Sequence, residues 1–238
     1  VRVDNHSHVG TEGIPQVGLS FRLPRDSEIK LMASKGFRYP TIRELYMFRP
    51  ANADLNPEKL WSYELSYSQR LLQGRLSYGV NAFYIDGKDL IMRVPVDGRQ
   101  MNVNTGKVEN AGVEAQVAYR LASAWSLDAN YSYLHMDNPV LASPEHKLYA
   151  GAAFSKGRWY VSTGCQYVAG LYTEVKVAGQ GDYATEDFVL WNLRGSFRAS
   201  EWLNIWVRGE NLLARKYEIN AGFPMPKATV MAGVNVRF

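Results

Sequence analysis

Two things are scarce in this chain of 238 residues. There is one cysteine, Cys165, so no internal disulfide can form. Cys165 sits among alternating apolar residues, where a thiol acts as a small hydrophobe. There is also no uncharged apolar run of about 18 residues, which excludes a membrane-spanning helix. Charge is sparse as well, at 21% Asp, Glu, Lys and Arg, and the net value of +4 is scattered along the chain. That pattern gives no basic stripe for nucleic acid. Val1 is not a methionine and no secretory leader opens the sequence, so a mature or truncated N-terminus is expected.

Aromatic side chains are abundant, at 13%, with 15 Tyr and 6 Trp. These two residues pair an apolar body with a polar tip and collect at membrane interfaces. The mean hydropathy of -0.27 would suit a water-soluble protein, but a membrane strand is apolar on one face only and escapes such averages.

The dominant pattern is strict alternation. In the last eleven residues, Val230, Ala232, Val234, Val236 and Phe238 fall on every second position, with Gly233, Asn235 and Arg237 between them. A period of two is a strand with one apolar and one polar face, and its length matches the ~9–11 residues that cross a bilayer at a tilt. The same alternation recurs from Val17 to Leu23, Ile29 to Ala33, Trp61 to Tyr67, Leu76 to Tyr84, Ala111 to Tyr119, Trp125 to Tyr133, Leu148 to Phe154, Trp159 to Tyr167, Val189 to Phe197 and Leu203 to Val207. About eleven strands follow. Their links alternate between short turns and long irregular stretches at 36–59, 86–107, 170–186 and 211–227.

Short turns on one rim and long loops on the other are the mark of an antiparallel up-and-down transmembrane β-barrel. Within strands the apolar positions are aromatic near the ends and small in the middle, as where Trp125 and Tyr133 bracket Leu127 and Ala129. A soluble β-sandwich also alternates, but it accounts poorly for the link rhythm. Single-chain bacterial barrels have an even strand count. Eleven therefore implies either that Val1 to His8 is the stub of a twelfth strand or that the chain is part of something larger.

Five segments, SKGFRYPTIRELY (34–46), LNPEKLWSYELSY (55–67), NAFYIDGKDLI (81–91), NTGKVENAGVEAQ (104–116) and GENLLARKYEINAGFPMPKATVMAGVNVRF (209–238), occur in an order that resembles the C-terminal half of TonB-dependent outer-membrane receptors. The proline of the second segment stands earlier than the usual Lys-Pro-Glu order of that family, at Asn56-Pro57-Glu58-Lys59. The resemblance implies that residues 1–238 are half of a plugged barrel of about 22 strands, without the N-terminal plug domain. It implies an outer-membrane location in a Gram-negative bacterium. It also implies energised import of a scarce nutrient such as an iron–siderophore or corrinoid. The partners would be lipid, the plug, the first half of the barrel, the TonB energy-transducing complex and a metal chelate or vitamin ligand. Haem receptors of that family often carry a histidine between the first two of these segments, and residues 41–54 hold none, so the resemblance argues against haem. A passive porin-like channel of about twelve strands is the alternative.

No catalytic constellation appears. His135 and His146 flank a polar loop with Asp137, Ser143 and Glu145, but no nucleophile motif accompanies them, so neither an enzyme nor a bound cofactor is expected. His6 and His8 lack a third metal ligand nearby. The candidate ligand-binding residues are the arginines and aromatics of the long loops: Arg38, Tyr39, Arg43, Tyr46 and Arg49, then Tyr172 and Tyr183, then Phe223 and Met225. Aromatic rings and guanidinium groups suit an anionic, partly apolar chelate, by stacking and charge-assisted hydrogen bonds. Loop methionines could favour copper, but no Met-x-x-Met spacing supports it.

Overall fold

The structure is a computed structural model and describes residues 1–7, 10–48, 50–174 and 184–237. Thirteen strands and one short helix make up the described chain. They are β1 (Arg2–His6), β2 (Gly10–Ile14), β3 (Gln16–Leu23), β4 (Ser27–Arg38), α1 (Ile42–Leu45), β5 (Glu58–Leu71), β6 (Leu76–Val96) and β7 (Arg99–Arg120). The rest are β8 (Trp125–Met136), β9 (Pro144–Lys156), β10 (Trp159–Glu174), β11 (Ala184–Arg198), β12 (Leu203–Glu210) and β13 (Thr229–Val236).

Strands β3 to β13 form one sheet of eleven antiparallel strands in which every neighbour in sequence is a neighbour in space. This is the up-and-down order expected from the alternation. Strands β1 and β2 form a hairpin of their own, with Arg2 opposite Ile14 and His6 opposite Gly10. Pro15 separates β2 from β3, and its carbonyl still accepts a hydrogen bond from the Lys35 N–H at 3.0 Å. The β2–β3 segment is therefore one strand interrupted at a proline, and β1 adds a strand beside it. The segment read as a twelfth-strand stub is a strand over Arg2–His6. His8 and Phe238 lie outside the described residues.

Register fixes the two faces. One row across the sheet runs Phe21, Ile29, Tyr67, Val80, Ala115, Tyr131, Leu148, Tyr167, Val189. A row on the opposite face runs Ser20, Lys30, Ser66, Asn81, Glu114, Ser132, Lys147. Directly opposed residues share a face, so the first row is the apolar surface and the second the polar one.

The apolar surface is not packed against anything. Trp125, Tyr131, Val161 and Val234 all stand exposed, which a sandwich core would not allow. Leu19, Leu65, Val207 and Val230 are exposed on the same surface. So large an apolar area is stable only against another apolar phase. Its rims are aromatic. Trp61 lies near Tyr63 and Tyr63 near Tyr84 at the long-loop end (6.1 and 6.4 Å between centroids), while Trp125 meets Phe154 and Trp159 meets Phe197 at the short-turn end (5.0 and 4.5 Å). The eight steps from Trp125 to Tyr133 span about 26 Å along the strand, or roughly 20 Å along the bilayer normal at a ~40° tilt. That approaches the ~25 Å apolar band of outer-membrane barrels. No described helix is long and apolar enough to cross a membrane, and the crossing elements here are strands.

Above the upper aromatic ring the pattern inverts. On the lipid-side face, Lys59 opposes Lys88, and Asp86 opposes Glu109. On the other face, Leu60, Gly87 and Val108 align, as do Ile85, Asn110 and Met136. The wall becomes wet outside and dry inside once it clears the hydrocarbon. Further along this inner face Val168, Leu171 and Phe188 form a small core against which Leu190, Tyr217 and Ile219 pack, so the 211–228 loop folds over the inner wall. Lower down, Tyr149 lies flat across two glycines. A Cβ on Gly151 would stand 2.6 Å from its hydroxyl, and one on Gly164 would stand 2.7 Å from its ring.

The stretch 86–107, read as a long loop, is instead a continuation of β6 and β7 to a tight turn at Asp97-Gly98. The short turns fall at 24–26, 72–75, 121–124, 157–158 and 199–202, all on the opposite rim.

The two faces differ in what they tolerate. Arginine at Ala129, at mid-height on the lipid side, is expected to destabilise the full-length protein by about 2–4 kcal/mol. Arginine at the adjacent Asn130, on the inner wall, is expected to change little. Guanidinium unfolding in phospholipid vesicles, read by tryptophan fluorescence, measures both.

Candidate functional site

The long-loop rim carries most of the candidate residues, and its geometry begins with the turn that follows β4. Pro40 is buried, and Thr41 caps α1 with a reciprocal capping box. The Thr41 N–H donates to Glu44 Oε2 at 2.7 Å, and the Glu44 N–H donates to Thr41 Oγ1 at 3.3 Å. The box satisfies N–H groups that the first turn of a helix leaves without partners. Leu45 and Leu55 are buried beneath the loop, which fixes its path.

Arg38, at the end of β4, holds this loop. Its guanidinium donates to both oxygens of Glu44 (2.9 and 3.1 Å) and to both oxygens of Glu58 (2.5 and 2.8 Å). Glu58 Oε1 also accepts the Ile91 N–H at 2.8 Å. One side chain thus joins β4, α1, β5 and, through Glu58, β6. Hydrogen bonds from Arg38 hold the Glu44 carboxyl down to about 2, with the Thr41 groups assisting, and they lower Glu58 in the same way. The two carboxylates raise Arg38 further above its ordinary value, so it stays charged. Fork-on-carboxylate pairing of this kind is among the stronger polar contacts available near a surface.

Tyr39 turns toward the β1–β2 hairpin. Its hydroxyl donates toward the carbonyls of Asp4 and Gly10 (3.2 and 3.3 Å), and its ring packs on His6 and Phe37 (4.9 and 4.7 Å). Desolvation, with Asp4 and Glu12 nearby, pushes its hydroxyl pKa up. Arg43 and Tyr46 lie on the exposed side of α1 and its C-terminal cap. Around them Ile42 is 71% exposed and Phe48 78% exposed, forming an apolar tip. Arg49 and Tyr183 lie outside the described residues.

The remaining candidates gather at the far side of the sheet. The Tyr172 hydroxyl donates to Glu145 Oε1 at 2.6 Å. The Ala221 N–H donates to the Thr173 carbonyl at 2.9 Å, which brings the 211–228 loop beside the end of β10. In that loop Phe223 is 73% exposed, and the Met225 N–H donates to the Tyr217 carbonyl at 3.0 Å. Asn211, buried and at φ 48°, is the loop's hub. Its amide donates to the carbonyls of Arg215 and Pro226 (2.8 and 3.1 Å), and its Oδ1 accepts the Arg215 N–H at 2.9 Å. The candidates therefore form two groups, one around α1 and one around β10 and the last loop.

Glu58, Asn52, Asn102, Asn104 and Asn211 carry the rim's structure and were not singled out from sequence. The Thr-x-x-Glu pattern at Thr41 and Glu44 signals the cap, and the two asparagines at 102 and 104, either side of Val103, mark the hairpin. Among the described residues no group of His, Cys, Asp and Glu is placed to hold a metal ion.

An exposed apolar belt between aromatic rings, paired strand by strand and crowned by long loops on one side, defines a transmembrane β-barrel wall. Residues 1–212 match the family model described as TonB dependent receptor-like, beta-barrel. The chain belongs to that family, whose members reside in the outer membrane of Gram-negative bacteria. It is 20% identical to the vitamin B12 transporter BtuB of Photobacterium profundum, across 100% of this chain and 40% of that protein. It is 25% identical to an iron-regulated outer membrane virulence protein of Vibrio cholerae, across 79% of this chain and 33% of that one. A ferric enterobactin receptor of Pseudomonas aeruginosa, solved with enterobactin, superposes with a TM-score of 0.81 at 17% identity, over 98% of this chain and 42% of that one. The copper transporter OprC superposes at 0.78 with 19% identity, over 96% of this chain and 40% of that one. The chain thus spans 40% or less of the curated relatives named here.

The depressed Glu44 value has a testable sign. A carboxylate whose folded pKa lies near 2, against an ordinary 4.5, contributes fully above the ordinary value and loses its contribution as pH falls toward 2. Amide protection of residues 41–45, corrected for intrinsic exchange, is expected to stay level down to about pH 4.5 and to fall below it. In Glu44→Gln that dependence is expected to vanish.

Proposed function

We propose that this chain is the C-terminal part of the barrel of an energised outer-membrane importer for a scarce nutrient, a metal chelate such as an iron–siderophore or a corrinoid. The observation that carries the reading is the family match over residues 1–212, with a vitamin B12 transporter and an iron-regulated outer membrane protein among the relatives. In this reading a plug domain and the first half of the barrel complete the protein, and the TonB complex drives it through the plug. Family membership favours an importer over a passive pore. The family is one of receptors and transporters, and the rim's chemistry is that of binding.

Ligand capture falls to the long-loop rim. Arg43 and Tyr46 project from α1, and Phe223 is exposed in the last loop. We assign these three, with Met225, as contacts, by charge-assisted hydrogen bonding and by stacking on apolar parts of the chelate. Arg38, Tyr39 and Tyr172 take part from fixed positions, because each is already bonded to a neighbouring segment. Arg49 and Tyr183 belong to the same proposal by their place in the sequence.

The test uses the full-length receptor in detergent, with a panel of ferric siderophores, cobalamin and copper ion. One class is expected to raise the melting temperature, and the Arg43→Ala/Tyr46→Ala double variant is expected to weaken that ligand at least tenfold, about 1.4 kcal/mol. Each variant's affinity is read from its ligand-dependent rise above its own ligand-free melting temperature. Absence of protection by every member, or uptake that persists without the energy-transducing partner, would overturn the reading.

A further inference from the structure

We propose that the loop between β4 and β5 and the tip of the β6–β7 hairpin form one rigid body, keyed by Glu58 and by asparagines 52, 102 and 104, so that neither moves without the other. The need for such a key is visible in the register. Pairing of β5 with β6 ends at Lys59 opposite Lys88, and pairing of β7 with β8 ends at Asn110 opposite Met136. The hairpin continues to Asp97-Gly98, so residues 91–106 rise above both flanking strands. A two-stranded hairpin alone is marginal in water. Among the described residues, what supports it is the loop.

Three sets of contacts join the two. Glu58 takes the Ile91 N–H on one side and Arg38 on the other, and Arg38 in turn holds α1 through Glu44. Asn52 donates its amide to the Asn102 carbonyl at 2.8 Å, and the Asn102 N–H donates to the Pro50 carbonyl at 2.8 Å. Asn104 Oδ1 accepts the Asn56 N–H at 2.8 Å, while its Nδ2 donates to the carbonyls of Asn56 (2.9 Å) and Asp89 (2.7 Å). Pro50, Asn52 and Asn56 of the loop thus each exchange hydrogen bonds with Asn102 or Asn104 of the hairpin, mostly through side-chain amides.

The hairpin is shaped for this union. Register slips between Gly87 and Leu90 and again before Ile91, with Asp89 at φ 58°, a left-handed conformation that aspartate tolerates better than most side chains. The bulge frees the Ile91 N–H for Glu58 and turns the Asp89 carbonyl toward Asn104. Opposite it, Gly106 has no room for a side chain: a Cβ there would stand 2.7 Å from both Leu90 Cβ and Met92 Cγ. The bulge, the glycine facing it and the asparagines are one device. It makes the apolar tip around Ile42 and Phe48 an extension of the barrel wall instead of a free loop, whichever ligand the rim takes.

Hydrogen exchange read by mass spectrometry on the full-length protein in detergent tests this without a ligand. Asn104→Ala and Glu58→Ala are each expected to speed exchange at least tenfold in both 41–57 and 89–106, leaving 144–168 unchanged. A distance measurement guards against a variant that merely folds poorly. Spin labels at Ile42→Cys and Asp97→Cys, in a Cys165→Ser background, should give one narrow distribution that broadens in Asn104→Ala. Acceleration confined to one segment, acceleration in neither, or a broad distribution before Asn104 is changed would overturn the proposal.

Discussion

Inside hydrocarbon a backbone N–H or C=O has no water to turn to, and each one left alone costs several kcal/mol. That constraint governs this molecule more than any side-chain contact. It is met by pairing every strand with the next in sequence from β3 to β13, with the apolar face turned to lipid. Almost no conventional core results. Among the described residues the buried hydrophobic side chains are few and sit at the long-loop rim, where Leu45, Leu55, Val168, Leu171 and Phe188 lie under loops. The stability of the wall lies in its ladders and its bilayer.

The same constraint explains what could be read from the sequence. Eleven alternating segments are eleven strands because lipid on one side and water on the other impose a period of two on side chains. Where lipid ends, the imposition ends. From Asp86 to Lys107 the backbone pairing continues while Gly, Asp and Asn displace the apolar alternators, and a hairpin there has the composition of a loop. The inversion of faces above Tyr84 has the same origin.

The candidate site was legible in its location and not in its wiring. Arg38 stands out in sequence as a loop cation fit for an anionic ligand, yet its guanidinium is shared between Glu44 and Glu58. A pair separated by twenty positions, one end in a strand and the other past a helix, leaves no spacing to recognise. The asparagines of the hairpin are similar. Nothing local about Asn104 indicates that it holds the backbones of Asn56 and Asp89 at once. The N-terminal cap at Thr41 is the exception, because its partner is three residues away and the pattern is a local one.

Tyr149, reclining over Gly151 and Gly164, shows how the interior is finished. An aromatic side chain of that size standing upright from the wall would be a post in the bore. Laid on bare backbone it becomes paving, with Asp128 beside Gly151 at its margin. The paving is local, because Asn130 and Gln166 stand on either side of Tyr149 in the same row and still offer amides to whatever lies inside.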